Sequence, residues 1–206
     1  MLVFLELMTR SPARLPADLA ALLARGGGYV TAAEAREAGL HAHVLERLTA
    51  RGRLERAQRG VYRDTSVPPP ENAELLEVQL RVPYARPCLA TAAFLHGLTT
   101  TLPTRVQVAV PANRAMPTLE YPPLEPFYWS PVAYGHGVTT LPGGERSLTT
   151  YTPEKTIADL LKHAPRLGPD LYLEALKTYL AAHRHPDTAA LLAAAKVDGV
   201  EAQLRH

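Results

Sequence analysis

Leucines at positions 19, 22 and 23 recur among alanine and charged residues with the spacing of one helix face, and the run stops at Gly26-Gly27-Gly28. The spacing predicts a first helix over about 15–25. Thr31-Ala32-Ala33-Glu34 then has the form of a capping box, with Thr31 as N-cap and Glu34 three positions on, opening a short helix that ends at Gly39. From His41 to Arg51, Val44, Leu45 and Leu48 share one face, while His43, Glu46, Arg47 and Arg51 fall largely off it, and Gly52 supplies the stop. Two short runs, Arg53 to Ala57 and Val61 to Arg63, flank Gln58-Arg59-Gly60 and read as a hairpin. Leu54 and Arg56 share a face by alternation, so the pattern leaves open which strand residues meet the core.

Three consecutive prolines, Pro68-Pro69-Pro70, can continue neither a helix nor a central strand and favour a stiff connection. They divide the chain into residues 1–66, a linker at 67–71, and residues 72–206. The second part is mixed. Helical patterns cover Asn72–Val82 and Leu89–His96, the latter halted by Gly97. Strand-like runs follow at Val106–Val110, Phe127–Trp129 and Ser147–Tyr151, with an irregular crossing between Pro111 and Pro131. Thr152-Pro153 reads as N-cap and first helical residue of a helix carrying Ile157, Leu160 and Leu161, ended by Gly168-Pro169. Further helices are expected over about Asp170–Ala182 and Asp187–Val197. The fold class is therefore α+β: an N-terminal winged helix-turn-helix followed by a mixed α/β domain.

Composition changes this picture little. The 206 residues are 47% hydrophobic and 20% charged, ordinary globular proportions. The apolar run Met1–Met8 is interrupted by Glu6, lacks a basic leader and is too short to span a bilayer, so neither a signal peptide nor a membrane contact is expected. A lone cysteine, Cys88, excludes an internal disulfide and multi-cysteine zinc sites, and fits a reducing cytoplasm.

Charge does change it. Net charge is only +2, yet Arg36 to Arg63 carries seven arginines against Glu37, Glu46 and Glu55. A phosphate backbone rewards such a local excess. A preference for arginine over lysine across the whole chain is equally well explained by coding bias, so it is the clustering that counts. In the winged plan, the third helix enters the major groove and the hairpin reaches phosphates. His43, Glu46 and Arg47 would meet base edges, and Arg51, Arg53, Arg56, Arg59 and Arg63 complete the expected DNA-binding set on double-stranded operator or promoter DNA.

Enzyme signatures fail. There is no phosphate-binding loop, nucleophile elbow or His-Glu-x-x-His zinc motif. Pro169-Asp170 with Glu174 and Lys177 approaches a metal-nuclease string but sits on a helix with one residue too many before the lysine. His41-x-His43 and His183-x-His185 read as surface histidines, since residues two apart on a helix diverge. His96 reads as a helix-end residue bonded to backbone, and Tyr128 and Trp129 as core. No catalytic residue, cofactor or metal is expected.

Gly27–Glu34, the Leu40–Leu48 helix and Gly52–Arg63 resemble the N-terminal winged helix of AbiEi-type antitoxins of type IV toxin–antitoxin systems. Ala92-Ala93-Phe94-Leu95-His96-Gly97-Leu98, the Val106–Pro111 strand and Tyr151–Leu161 resemble that family's C-terminal domain, so the likeness extends over nearly all of residues 17–206. One departure is His41, which stands where a Ser or Thr N-cap would be expected. The resemblance implies a repressor that regulates its own operon through the first domain and counters a nucleotidyltransferase toxin through the second, with binding as a homodimer or cooperatively on DNA. Two alternatives stand beside it: a stand-alone winged-helix regulator whose second domain senses a ligand or protein, and a nucleic-acid-processing enzyme.

Overall fold

The computed structural model describes residues 14–205; the apolar run Met1–Met8 lies outside them. The chain forms two compact units. The first runs through Arg81 and also takes in Pro142–Ser147; the second comprises Val82–Leu141 and the chain from Leu148 on.

In the first unit, α1 (Ala17–Arg25) is followed by β1 (Tyr29–Thr31), α2 (Ala32–Glu37), α3 (Ala42–Ala50), β2 (Leu54–Gln58), β3 (Val61–Asp64) and α4 (Ala73–Arg81). The helices and hairpin lie where the periodicity puts them. Strand β1 was not foreseen, because three residues are too few for alternation to register. It forms by pairing antiparallel with β3, Val30 opposite Tyr62, giving a sheet of order β1-β3-β2. Leu19 and Leu23 of α1, Ala35 of α2, Leu45 and Leu48 of α3, and Val30, Leu54 and Tyr62 of the sheet make one buried core.

Helix α4 corrects the expected domain boundary. Leu76 is buried against Tyr29 and Val61, and Tyr29 Oη donates to Glu77 Oε1 at 2.9 Å. The proline run redirects the chain but does not end the unit, because an apolar residue beyond it has its partners before it.

The second unit contains β4 (Arg86–Pro87), α5 (Leu89–Leu95), β5 (Val106–Pro111), β6 (Leu124–Trp129), α6 (Pro131–Gly135), β7 (Val138–Gly143), β8 (Arg146–Tyr151), α7 (Pro153–Leu167), α8 (Pro169–Ala182), α9 (Thr188–Asp198) and α10 (Glu201–Leu204), with the tip of the β7–β8 hairpin counted in the first unit. Strand β5 lies between β4, antiparallel, and β6, parallel. Elements β4, β7, α6 and α10 carry no periodic signal, being very short or polar. Thr152 Oγ1 accepts the Lys155 N–H and Asp187 caps α9 through the Ala190 N–H. Cys88, Leu89, Ala109, Phe127, Trp129, Tyr151, Ile157 and Leu160 share the core. Tyr128, expected inside, is exposed, since its neighbours Phe127 and Trp129 take the inward face of β6.

Lys155 is fully buried in this core. Its ammonium bonds Asp159 and both carboxylate oxygens of Asp198, at 3.1 and 3.0 Å, and lies 4.5 Å from the Trp129 ring centre. Burial pushes the Asp159 carboxyl well up, against the pull of Lys155. Lys162, 3.8 Å from Asp198, adds a second positive charge to the two acids. The cluster ties α7 to α9 at a high desolvation cost, so breaking it should be expensive. Lys155→Met should lower unfolding free energy by about 3–5 kcal/mol in denaturant titration. A loss below about 1 kcal/mol would mean that the acids relax without their cation.

Candidate nucleic-acid interface

Helix α2 is six residues long and is set at both ends. At its start the capping box is complete: Thr31 Oγ1 accepts the Glu34 N–H at 3.1 Å, and the Glu34 carboxylate accepts the Thr31 N–H at 2.7 Å. At its end, Gly39 takes φ 77° and the Leu40 N–H donates to Ala35 O at 2.9 Å, which turns the chain into α3. No atom lies within 4 Å of a Cβ built on Gly39, so its backbone conformation, and not crowding, calls for glycine.

Helix α3 begins at His41 without a side-chain cap. Leu45 and Leu48 face the core; Ala42, His43, Glu46, Arg47 and Ala50 form the exposed stripe. Alanines at both ends of that stripe leave room for close approach of a groove. Thr49, beside that stripe, is half-buried and turns its hydroxyl back to donate to Leu45 O at 2.9 Å. The rings of His41 and His43 stack at 5.7 Å between centres, contrary to the divergence expected for residues two apart. His41 is the extended N-cap, so helical spacing does not apply to it.

The wing is short: Gln58 pairs with Val61, leaving Arg59-Gly60 as the turn, with Gly60 at φ 80°. Leu54, at the base of β2, is buried, while Arg56, two residues nearer the tip and next to a bulge between Arg56 and Gln58, is exposed.

The expected arginines divide into two sets. Arg47, Arg51, Arg56 and Arg59 are exposed and carry no ion pair among the described residues. Arg53 and Arg63 do not belong with them. Arg53 bonds Asp64 and, at 3.1 Å, Ser66 Oγ; Arg63 bonds Glu55 and, at 2.9 Å, Val67 O. Both guanidiniums are five-sixths covered and brace the base of the wing. Arg36, exposed on α2 at the start of the arginine-rich segment, joins the outward set, although the winged plan assigns the middle helix no base contact. In the second unit, the nuclease-like Glu174 accepts from Thr99 Oγ1 and the Thr100 N–H, and His96 Nε2 lies 2.6 Å from Tyr151 O.

Residues 17–63 match the model of a family described as transcriptional regulator, AbiEi antitoxin. The match supports a transcriptional regulator or antitoxin, a class that binds and regulates. A solved structure, that of the RV2827C protein from Mycobacterium tuberculosis, is similar at 18% identity over 92% of this chain and 80% of that one, with a TM-score of 0.49. No curated protein matches the sequence. No helix among the described residues is long and apolar enough to cross a membrane.

The brace has a pH signature. Burial alone would raise the Asp64 carboxyl, but Arg53 and Ser66 outweigh it and hold it below the usual carboxylate range. A depressed acid contributes stability above its unfolded pKa, about 3.9, that is lost as pH falls through the folded value. Denaturant midpoints measured between neutral and acid pH should therefore drop below about pH 4. Asp64→Asn should be less stable at neutral pH and show a shallower acid fall. An unchanged acid limb would remove Asp64 from the wing's support.

Proposed function

We propose that this chain is a cytoplasmic, non-enzymatic DNA-binding repressor and antitoxin of a type IV toxin–antitoxin system. It binds the operator of its own operon through α3 and the wing, and it counters a nucleotidyltransferase toxin through the second unit. The observation that carries the DNA half is a short helix with an open polar stripe, His43, Glu46 and Arg47, flanked by exposed arginines that carry no ion pair among the described residues. The family match over 17–63 supports the same half. The antitoxin half rests on the resemblance of Ala92–Leu98, Val106–Pro111 and Tyr151–Leu161 to that family's C-terminal domain. The test is whether a nucleotidyltransferase gene lies beside this one and whether, when the two are co-expressed, growth returns only if the second unit is present.

The unpaired arginines set the salt dependence. Anisotropy titrations on upstream DNA should weaken steeply with salt, and Arg59→Ala should reduce the logarithmic slope by about 1 while lowering affinity alike for all sequences. Arg53→Ala should instead lower the melting temperature. Salt-insensitive binding, or none, would end the DNA reading.

Arg47 separates reading from grip. Its removal should cost ~1–3 kcal/mol on the cognate site and relax its preference, with little change on scrambled duplex. Equal loss on both would make Arg47 a phosphate contact only.

A further inference from the structure

The first unit is completed by a short stretch from far along the chain, Pro142–Ser147, and one residue in it makes most of the polar contacts. Arg146 Nε donates to Gly26 O at 3.1 Å. Its Nη2 lies 3.3 Å from Tyr29 O and 2.9 and 3.1 Å from the two oxygens of Glu34. Gly26 and Tyr29 bound the turn between α1 and β1, and Glu34 is the acid of the α2 capping box. One guanidinium thus joins the turn that enters the sheet to the cap that starts α2. The turn is shaped for it: a Cβ on Gly26 would stand 2.1 Å from Tyr29 O and 2.8 Å from Arg146 Nη2. Burial would raise the Glu34 carboxyl, but the Thr31 N–H and Arg146 bring it below its ordinary value, so the acid is charged when Arg146 holds it.

Both parts of the exposed reading surface hang from α2. The Ala32 N–H donates to Gly60 O, in the wing turn, at 2.8 Å. The Leu40 N–H donates to Ala35 O, which fixes the turn into α3. A six-residue helix has too few internal bonds to keep its own position. Whatever fixes its N-terminus therefore fixes the wing turn and the reading helix with respect to each other.

We propose that Arg146 is a positioning residue for DNA recognition: by clamping the α1–β1 turn to the α2 cap it sets the geometry in which α3 and the wing read a site. This rests on the DNA-binding function proposed above. It touches no DNA in this role, so its loss should impair discrimination more than grip, since phosphate contacts tolerate a shifted helix and paired base contacts do not.

The test uses the full-length chain with Arg146→Ala, Arg146→Lys and Glu34→Gln, measured by hydrogen exchange and by anisotropy on cognate and scrambled duplexes. Arg146→Ala should speed exchange at the Ala32 and Glu34 amides and weaken cognate binding about tenfold, with scrambled affinity changed less than about twofold. Arg146→Lys, which cannot reach three acceptors at once, should fall between Ala and wild type. Glu34→Gln should give a selective loss in the same direction but smaller, since the Gly26 and Tyr29 carbonyls keep their donor, and the double variant little more than Arg146→Ala alone, because the Glu34 contact is already gone in it. Should Arg146→Ala fail to fold, the Lys and Gln variants carry the same comparison. Unchanged amide exchange would overturn the clamp whether or not DNA binds. Faster exchange with an unchanged cognate-to-scrambled ratio would make Arg146 a stabilising residue only. A wild-type chain that binds no duplex would sink the DNA reading itself and the positioning role with it.

Discussion

The first unit depends on how the N-terminus of α2 is held. Six residues of helix provide scarcely one turn of internal bonding, and a free peptide of that length would not stay helical. Here the start of the helix is held both by its own capping box and by groups from distant parts of the chain. Thr31 and Glu34 satisfy each other, Gly60 of the wing takes the Ala32 N–H, and Arg146 balances the charge on Glu34. Because α3 follows after a single glycine-centred turn, the stiffness of that junction becomes the stiffness with which α3 is held.

Charge in this protein is used in three distinct ways, and burial decides which. Lys155 lies fully buried between two acids, where pairing offsets desolvation and the reward is the fixed separation of two helices. Arg53, Arg63 and Arg146 are mostly covered and each bonds a carboxylate together with a second group, a hydroxyl for Arg53 and carbonyls for Arg63 and Arg146, a role suited to the planar guanidinium with its several donors. Arg47, Arg51, Arg56 and Arg59 stand in water with no ion pair among the described residues. That set, with Arg36, adds most to the field around the segment. The net charge of the segment therefore overstates its grip, since a paired arginine contributes little at a distance.

Local chemistry was legible in the sequence wherever it sufficed to decide the structure. The capping box, the glycine stops, a glycine-containing wing turn and the Thr152-Pro153 helix start each rest on neighbouring residues, and each is found, the turn one residue shorter than the Gln58-Arg59-Gly60 expected. What was hidden depends on distant partners. Strand β1 exists only because β3 is there to pair with it, and α4 joins the first unit only because Leu76 meets Tyr29 and Val61. Arg53 could not be separated from Arg59 by composition; Asp64 and Ser66 make the difference, and their placement follows from the strand register. Arg146 gave no signal at all, lying more than a hundred residues from every group it binds.

The two-stretch make-up of the first unit also limits how such a domain can travel between genes. A single recombination breakpoint near residue 81 would carry away the helices, the sheet and the wing, but leave behind the loop that holds Gly26, Tyr29 and Glu34 together. A chimera made that way inherits an acid and two carbonyls fitted to an absent guanidinium. Exchange is harmless only when both stretches move together, or when the recipient carries its own arginine in the same place. A change at any of the three acceptors in residues 26–34 is thus also a change to what the loop around Arg146 can hold, more than a hundred residues further along the chain.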